Sequence, residues 1–232
     1  MSFLFLATMM AGDELALHID HTLLRADATA DQIAQLCDEA RSYGFAAVCV
    51  PPCYVQLVKE RLGPGTLVKI ATVVGFPLGY QHAKVKLLEA HQAVADGATE
   101  VDVVMNIAAF KSGKYEEVRT ELADLADFCH LQNAELKVII ETALLNQEEI
   151  VQACELCAAA GADYVKTSTG FASKGATVED VKLMRRVLPA QVKIKAAGGI
   201  KTFAAAEALI NAGADRIGCS ASIQIVTHEQ NS

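Results

Sequence analysis

The 232-residue chain contains no tryptophan, and aromatic residues make up only 6% of it. A core must therefore be built from Ala, Val, Ile and Leu, which suits a parallel sheet buried on both faces. There is no excess of basic charge. The formal net charge is −8, which argues against a nucleic-acid partner and against binding to a membrane surface. Long apolar runs are missing as well. Residues 3–11 are apolar but too short to cross a bilayer, and they lack both a basic lead-in and an Ala-x-Ala cleavage pattern. We expect residues 1–16 to form an N-terminal helical segment packed on a main domain of residues 17–232.

Paired cysteine spacing is also scarce. The seven cysteines are odd in number and scattered, as expected of reduced thiols in a cytoplasmic protein. Cys154-Glu-Leu-Cys157 has redox-motif spacing but falls inside a helical pattern. Cys49 and Cys53 have no matching His pair, and His82, His91 and His130 show no metal spacing. No metal, nucleotide or redox cofactor is expected. Of His18 and His21, on or beside the first strand, one is expected to be a satisfied core histidine.

What is present is a repeat. Gly44-Phe-Ala-Ala-Val-Cys49, Gly97-Ala-Thr-Glu-Val-Asp102, Gly161-Ala-Asp-Tyr-Val-Lys166 and Gly213-Ala-Asp-Arg-Ile-Gly218 each run from a helix-ending glycine into a β-rich stretch. Successive copies are two βα units apart. Val68-Lys69-Ile70, Leu136-Lys137-Val138 and Val192-Lys193-Ile194 open the intervening strands. Together they predict strands near 17–20, 45–50, 69–74, 100–105, 137–141, 164–168, 193–197 and 216–219. Helical apolar spacing falls near 30–43, 54–62, 82–96, 114–132, 146–160, 177–188, 202–212 and 221–228. Asn146 with Glu149, and Thr177 with Asp180, read as N-cap pairs. Eight βα units without a composition break predict one closed (β/α)8 barrel, a TIM barrel. An open doubly wound sheet would need a glycine-rich turn after the first strand, and Ile19-Asp-His-Thr-Leu-Leu24 has none.

In such a barrel Cys49, Asp102, Lys166 and Gly218 should share an interior layer, since a layer draws on alternate strands. A lysine and an aspartate inside a barrel are costly unless they pair or react. Lys166 is the candidate nucleophile, and its amine must lose its proton to attack a carbonyl. Lys195, on the neighbouring strand, would supply the cation that favours this loss. Asp102 reads as an acid/base, as a structural ion pair, or as both. Lys69, Lys137 and Lys193 share an N-terminal strand position and are expected to snorkel to the barrel bottom. Ala197-Gly198-Gly199 and Gly218-Cys-Ser220-Ala-Ser222, joined by Thr169-Gly170, read as anion grips for a phosphate. The turn Phe76-Pro-Leu-Gly79 reads either as a segment shaping a substrate pocket or as a plain βα connection, and the plain connection is the expectation.

The chain resembles the deoxyribose-phosphate aldolases. The likeness rests on Asp20-His-Thr-Leu-Leu24, Val48-Cys-Val-Pro51, Thr72-Val-Val-Gly-Phe-Pro77, Glu100-Val-Asp-Val-Val104, Lys137-Val-Ile-Ile-Glu-Thr142, Tyr164-Val-Lys-Thr-Ser-Thr-Gly-Phe171, Lys195-Ala-Ala-Gly-Gly-Ile200 and Arg216-Ile-Gly218, in that order. The Lys166 and Lys195 stretches together carry most of the specificity. The resemblance implies a class I aldolase cleaving 2-deoxy-D-ribose 5-phosphate reversibly to D-glyceraldehyde 3-phosphate and acetaldehyde. It implies a Schiff base on Lys166, a lowering of that amine's pKa by Lys195, and proton transfer by Asp102 with Lys195 and water. Gly170, Gly198, Gly199 and Ser220 would hold the phosphate, and Asp20 and Thr22 would line the sugar pocket. A homo-oligomer, with a dimer favoured, is implied too. Two departures stand out. Ala221 follows Ser220 where the family often has a small hydroxyl residue or glycine, and no tyrosine follows Tyr164. Competing readings are another Schiff-base phosphosugar lyase or transaldolase, a phosphosugar-binding barrel without catalysis, and a metal-dependent lyase.

Overall fold

β-Branched residues dominate the strand segments. Val48, Val50, Val101, Val103, Val138 and Ile194 are all fully buried, as parallel strands covered on both sides require. The structure, a computed structural model, describes residues 12–227. Its strands are β1 (Ile19–Thr22), β2 (Ala47–Val50), β3 (Lys69–Val74), β4 (Glu100–Val104), β5 (Glu135–Ile139), β6 (Tyr164–Lys166), β7 (Lys193–Ala197) and β8 (Arg216–Cys219). They pair in sequence order and in parallel, and β8 pairs with β1 to close the barrel. This is the predicted (β/α)8 barrel in a single domain.

The helices are α1 (Gly12–Ala16), α2 (Ala30–Tyr43), α3 (Val55–Leu62), α4 (Ala83–Asp96), α5 (Ile107–Lys111), α6 (Tyr115–Leu131), α7 (Gln147–Ala159), α8 (Val178–Val187), α9 (Phe203–Asn211) and α10 (Ser222–Thr227). Asn146 and Glu149 form the expected capping box of α7, and the Thr177 hydroxyl accepts from the Asp180 amide at 3.1 Å. Gly44, Gly97, Gly161 and Gly213 all take positive φ, between 68° and 119°. α1 buries Leu15 and Ala16. The rest of the expected N-terminal segment, residues 1–11, lies outside the described residues.

Three local expectations need correction. β1 runs two residues later than expected, and β5 starts two residues earlier. α5 was not anticipated; its five residues are too few to show periodicity, and it is set by the Asn106 side chain accepting from the Ala109 amide at 3.0 Å. The shift of β5 matters most. Lys69 and Lys193 are the first residues of β3 and β7 and are exposed. Lys137 is the third residue of β5, paired with Asp102 on one side and Tyr164 on the other, and it is completely buried. It does not snorkel to the rim.

The space between barrel and helices is a continuous apolar core. The barrel interior is divided. Ala47, Cys49, Ala71 and Val73 make a small apolar cluster on the β2–β3 side. The other strands fill the interior with charge, from Asp20, Glu100, Asp102, Lys137, Lys166, Lys195 and Arg216.

Candidate active site

Alternation along each strand turns these charged residues to one face. The register pairs Lys166 directly with Lys195. Both ammonium groups reach the same oxygen of Asp102, Oδ2, and each donates to it at 2.7 Å. Lys137 donates to the other oxygen, Oδ1, at 2.9 Å. One carboxylate is thus shared by three amines.

Burial pushes the Lys166 amine below the ordinary lysine value. The neighbouring Lys195 cation pushes the same way, against the pull of Asp102. Burial also opposes the Lys195 ammonium, but Asp102 and Asp20 outweigh it and hold that amine well above the usual value. For Asp102 the burial cost is overcome by Lys137, Lys166 and Lys195, which keep its carboxyl well below the usual range. Two lysines side by side are thereby shifted in opposite directions, Lys166 toward the free amine and Lys195 toward the ammonium. Cys49, which faces this group, is held as a thiol by burial.

A cavity of about 420 Å³ opens above Lys166 at the carboxyl ends of the strands. Of the expected site residues, Thr22, Lys166, Thr169, Gly170, Gly198, Gly199, Gly218 and Ser220 line it. Lys195 and Asp102 lie just beneath, fully buried. Asp20 is not on the wall. It pairs in register with Gly218, one step deeper than Thr22, and is buried against Lys195 and Arg216. Thr22 does line the cavity, and its hydroxyl donates back to the Asp20 carbonyl at 2.8 Å.

Glycine makes this mouth possible at two points. A Cβ on Gly218 would come within 3.1 Å of Lys195 Cε. A Cβ on Gly175 would meet the Gly198 carbonyl oxygen at 1.9 Å. The loop after β6 therefore lies directly on the turn after β7, where the Ala176 amide donates to the carbonyls of Ala197 and Gly198 at 3.0 and 3.2 Å. Thr169, on the same loop, donates its amide at 3.1 Å and its hydroxyl to the carboxylate of Glu141, which follows β5. Phe171, on the cavity wall, stands edge-on to Phe76 at 5.2 Å. The Phe76–Gly79 turn, expected to be a plain connection, thus backs the pocket. His21 is the satisfied core histidine. Its ring bridges the Ser222 hydroxyl at 2.9 Å and Glu39 at 2.7 Å, tying the start of α10 to β1.

Gly175, Lys137, Glu100, Arg216, Arg25 and Lys201 escaped the reading of the sequence as site residues. Arg25 and Lys201 reach the cavity from loops. A glycine three residues before a helix and charged residues within short strands carry no local signal of these contacts. Among the described residues, no cluster of three or more His, Cys, Asp or Glu side chains is arranged to ligate a metal, and no helix is long and apolar enough to cross a membrane.

A barrel with a buried amine of lowered pKa at the floor of a glycine-lined mouth is the arrangement of a carbonyl-attacking enzyme. The DeoC/LacD family aldolase model matches residues 14–228. A deoxyribose-phosphate aldolase of Thermococcus gammatolerans is 51% identical over 223 residues, covering 96% of this chain and 99% of that one. One from Shouchella clausii is 52% identical over 214 residues, covering 92% and 95%. A solved structure described as a unique tetrameric deoxyribose phosphate aldolase from Aeropyrum pernix superposes with a TM-score of 0.87 at 34% identity, covering 95% of this chain and 93% of that one. The chain belongs to the DeoC/LacD family of aldolases.

Proposed function

We propose that the protein is a class I deoxyribose-phosphate aldolase, cleaving 2-deoxy-D-ribose 5-phosphate reversibly to D-glyceraldehyde 3-phosphate and acetaldehyde. The observation that carries this reading is the buried Lys166 amine, lowered in pKa and bonded to Asp102 beside Lys195, whose pKa is raised.

In this reading the unprotonated Lys166 Nζ adds to the C1 aldehyde of the open-chain sugar. The carbinolamine loses its oxygen as water, with Lys195 and Asp102 supplying and relaying the proton, and an iminium remains. A proton leaves the C3 hydroxyl and the C2–C3 bond breaks. Its electron pair moves to the iminium nitrogen to give an enamine, and C3 becomes the aldehyde of glyceraldehyde 3-phosphate. Protonation of the enamine at C2 and hydrolysis then free acetaldehyde and Lys166. The imine is the electron sink, so no step calls for a metal or an organic cofactor.

The phosphate end fits the glycine loops. Backbone amides of Gly170, Gly198 and Gly199 supply donors without side chains in the way, Ser220 adds its amide and hydroxyl, and Arg25 and Lys201 add positive charge at the rim. Thr22 and Thr169 face the sugar. Ala221 removes one hydroxyl from this end.

We infer a homo-oligomer, with a dimer favoured, and a cytoplasmic setting. Seven free cysteines, six of them buried, support a reducing compartment. Sedimentation of the purified protein tests the oligomer. The function itself is tested by supplying 2-deoxyribose 5-phosphate and assaying both products. Equimolar acetaldehyde and glyceraldehyde 3-phosphate are expected; neither product, from a folded protein, would refute it.

A further inference from the structure

Below the reacting amine lies a group of charges that continues from Asp102 and Lys195 to Asp20, Glu100, Lys137 and Arg216, which the chemistry gives no step. Lys137 donates to Glu100 at 2.5 Å and to Asp102 at 2.9 Å, and its nitrogen is 4.0 Å from Asp20. Arg216 reaches Asp20 at 2.6 Å and Glu100 at 3.3 Å, and donates to the Tyr164 hydroxyl at 3.3 Å. Lys195 is ion-paired with both Asp20 and Asp102. All these residues are buried.

Counted by charge, three carboxylates (Asp20, Glu100 and Asp102) face four bases (Lys137, Lys166, Lys195 and Arg216). A buried cluster with net charge is costly, so one base should give up its proton. The contacts say which. Lys137, Lys195 and Arg216 each touch at least two carboxylates. Lys166 touches only Asp102, through an oxygen it shares with Lys195. It is the least compensated base and the one at the cavity wall.

We propose that Glu100, Lys137 and Arg216 are positioning residues that balance the charge of the barrel interior, so that the neutral cluster is the one in which Lys166 is the free amine. The other titratable groups facing Lys166 do not upset this balance. Cys49 on β2 is held as a thiol by burial, and Cys219 on β8 turns to the other face, against the Ser222 hydroxyl. Tyr164 on β6 contributes a phenol, and the β3 face contributes only Ala71 and Val73. This inference rests on the Schiff-base reading of Lys166 and extends it to residues that never meet the substrate.

The test is the pH dependence of acetaldehyde trapping by cyanoborohydride, read by mass spectrometry at Lys166. It is run on wild type, Glu100→Gln, Lys137→Met and the double variant. Removing the Lys137 cation leaves an excess negative charge, which should move the trapping midpoint up by about one pH unit or more. Glu100→Gln leaves an excess positive charge and should move it down by about as much. The double variant restores neutrality and should return the midpoint to the wild-type value, a coupling that simple loosening of the core would not produce. Unmoved single variants, or a double variant displaced as far as Lys137→Met, would overturn the proposal. If Lys137→Met does not fold, Glu100→Gln alone decides: a downward shift supports charge balance and an unchanged midpoint rejects it. A wild type that never labels at Lys166 removes the Schiff-base assignment and this inference with it. A labelled wild type with immobile midpoints removes only the inference.

Discussion

Lys166 and Lys195 donate to a single oxygen of Asp102, each at 2.7 Å. Asp102 therefore holds the two amines in contact, and burial together with the Lys195 cation pushes the Lys166 pKa down against the pull of Asp102. Lys195→Leu should leave a folded protein. Loss of the positive charge should raise the Lys166 pKa, so the free amine appears only at higher pH. The alkaline shift and the missing proton donor together should lower kcat/KM at pH 7 by roughly 10²–10⁴-fold. A pH–rate profile measured with 2-deoxyribose 5-phosphate checks this. An unchanged profile would contradict the two-lysine arrangement.

The phosphate should matter far more than a net charge of −8 suggests. Backbone amides act at contact, whereas distant charges are screened beyond about 8–10 Å. Losing two charge-assisted hydrogen bonds, each worth about 1.5 kcal/mol, corresponds to roughly a hundredfold. Deoxyribose without its phosphate should fall at least that far in kcat/KM. Equal values for the two sugars would remove the anion-grip assignment.

Gly175→Ala separates the two halves of the site. Its Cβ would sit 1.9 Å from the Gly198 carbonyl oxygen, so the turn after β7 must move. KM for the phosphorylated sugar should rise at least about tenfold, given the steep distance dependence of such hydrogen bonds. Trapping of acetaldehyde, which has no phosphate, should persist at Lys166. If both are lost together, the loop supports the amine as well as the phosphate.

The barrel interior should also report in acid. The carboxyls of Asp20 and Asp102 lie below the ordinary aspartate value of 3.8 in the folded protein: burial works against them, and the surrounding cations prevail. A depressed folded pKa gives stability that is present above the unfolded value and lost as pH falls below it. The urea midpoint should be flat from about pH 7 to 5 and then drop below about pH 4. With two such groups the slope approaches about 2.7 kcal/mol per pH unit. A midpoint that stays level to pH 3 would show that these carboxylates are not ionised in the fold.

How much of this was legible follows from where the signal resides. Helix ends are written locally: the Asn146–Glu149 box and the glycines at 44, 97, 161 and 213 sit where their spacing puts them. The shared position of Asp102 and Lys166 was visible because the barrel repeats itself. Lys137 was misplaced because Leu136-Lys137-Val138 looks like the openings of β3 and β7. Only pairing between strands reveals that β5 starts two residues earlier and carries this lysine inside. The depth of Asp20 was hidden for the same reason, since one inward-facing step along β1 separates the pocket wall at Thr22 from the charged floor at Asp20. Gly175 was passed over because its reason to be glycine is the backbone of a turn after another strand.

The most direct measurement is the position of the covalent adduct. Acetaldehyde with borohydride should add one ethyl group to one lysine and inactivate the enzyme irreversibly. Peptide mapping should place that group in Tyr164-Val-Lys166, and Lys166→Ala should abolish both labelling and cleavage. Label on Lys195 would exchange the roles of the two lysines, and normal turnover with no label on any lysine would contradict the Schiff-base account.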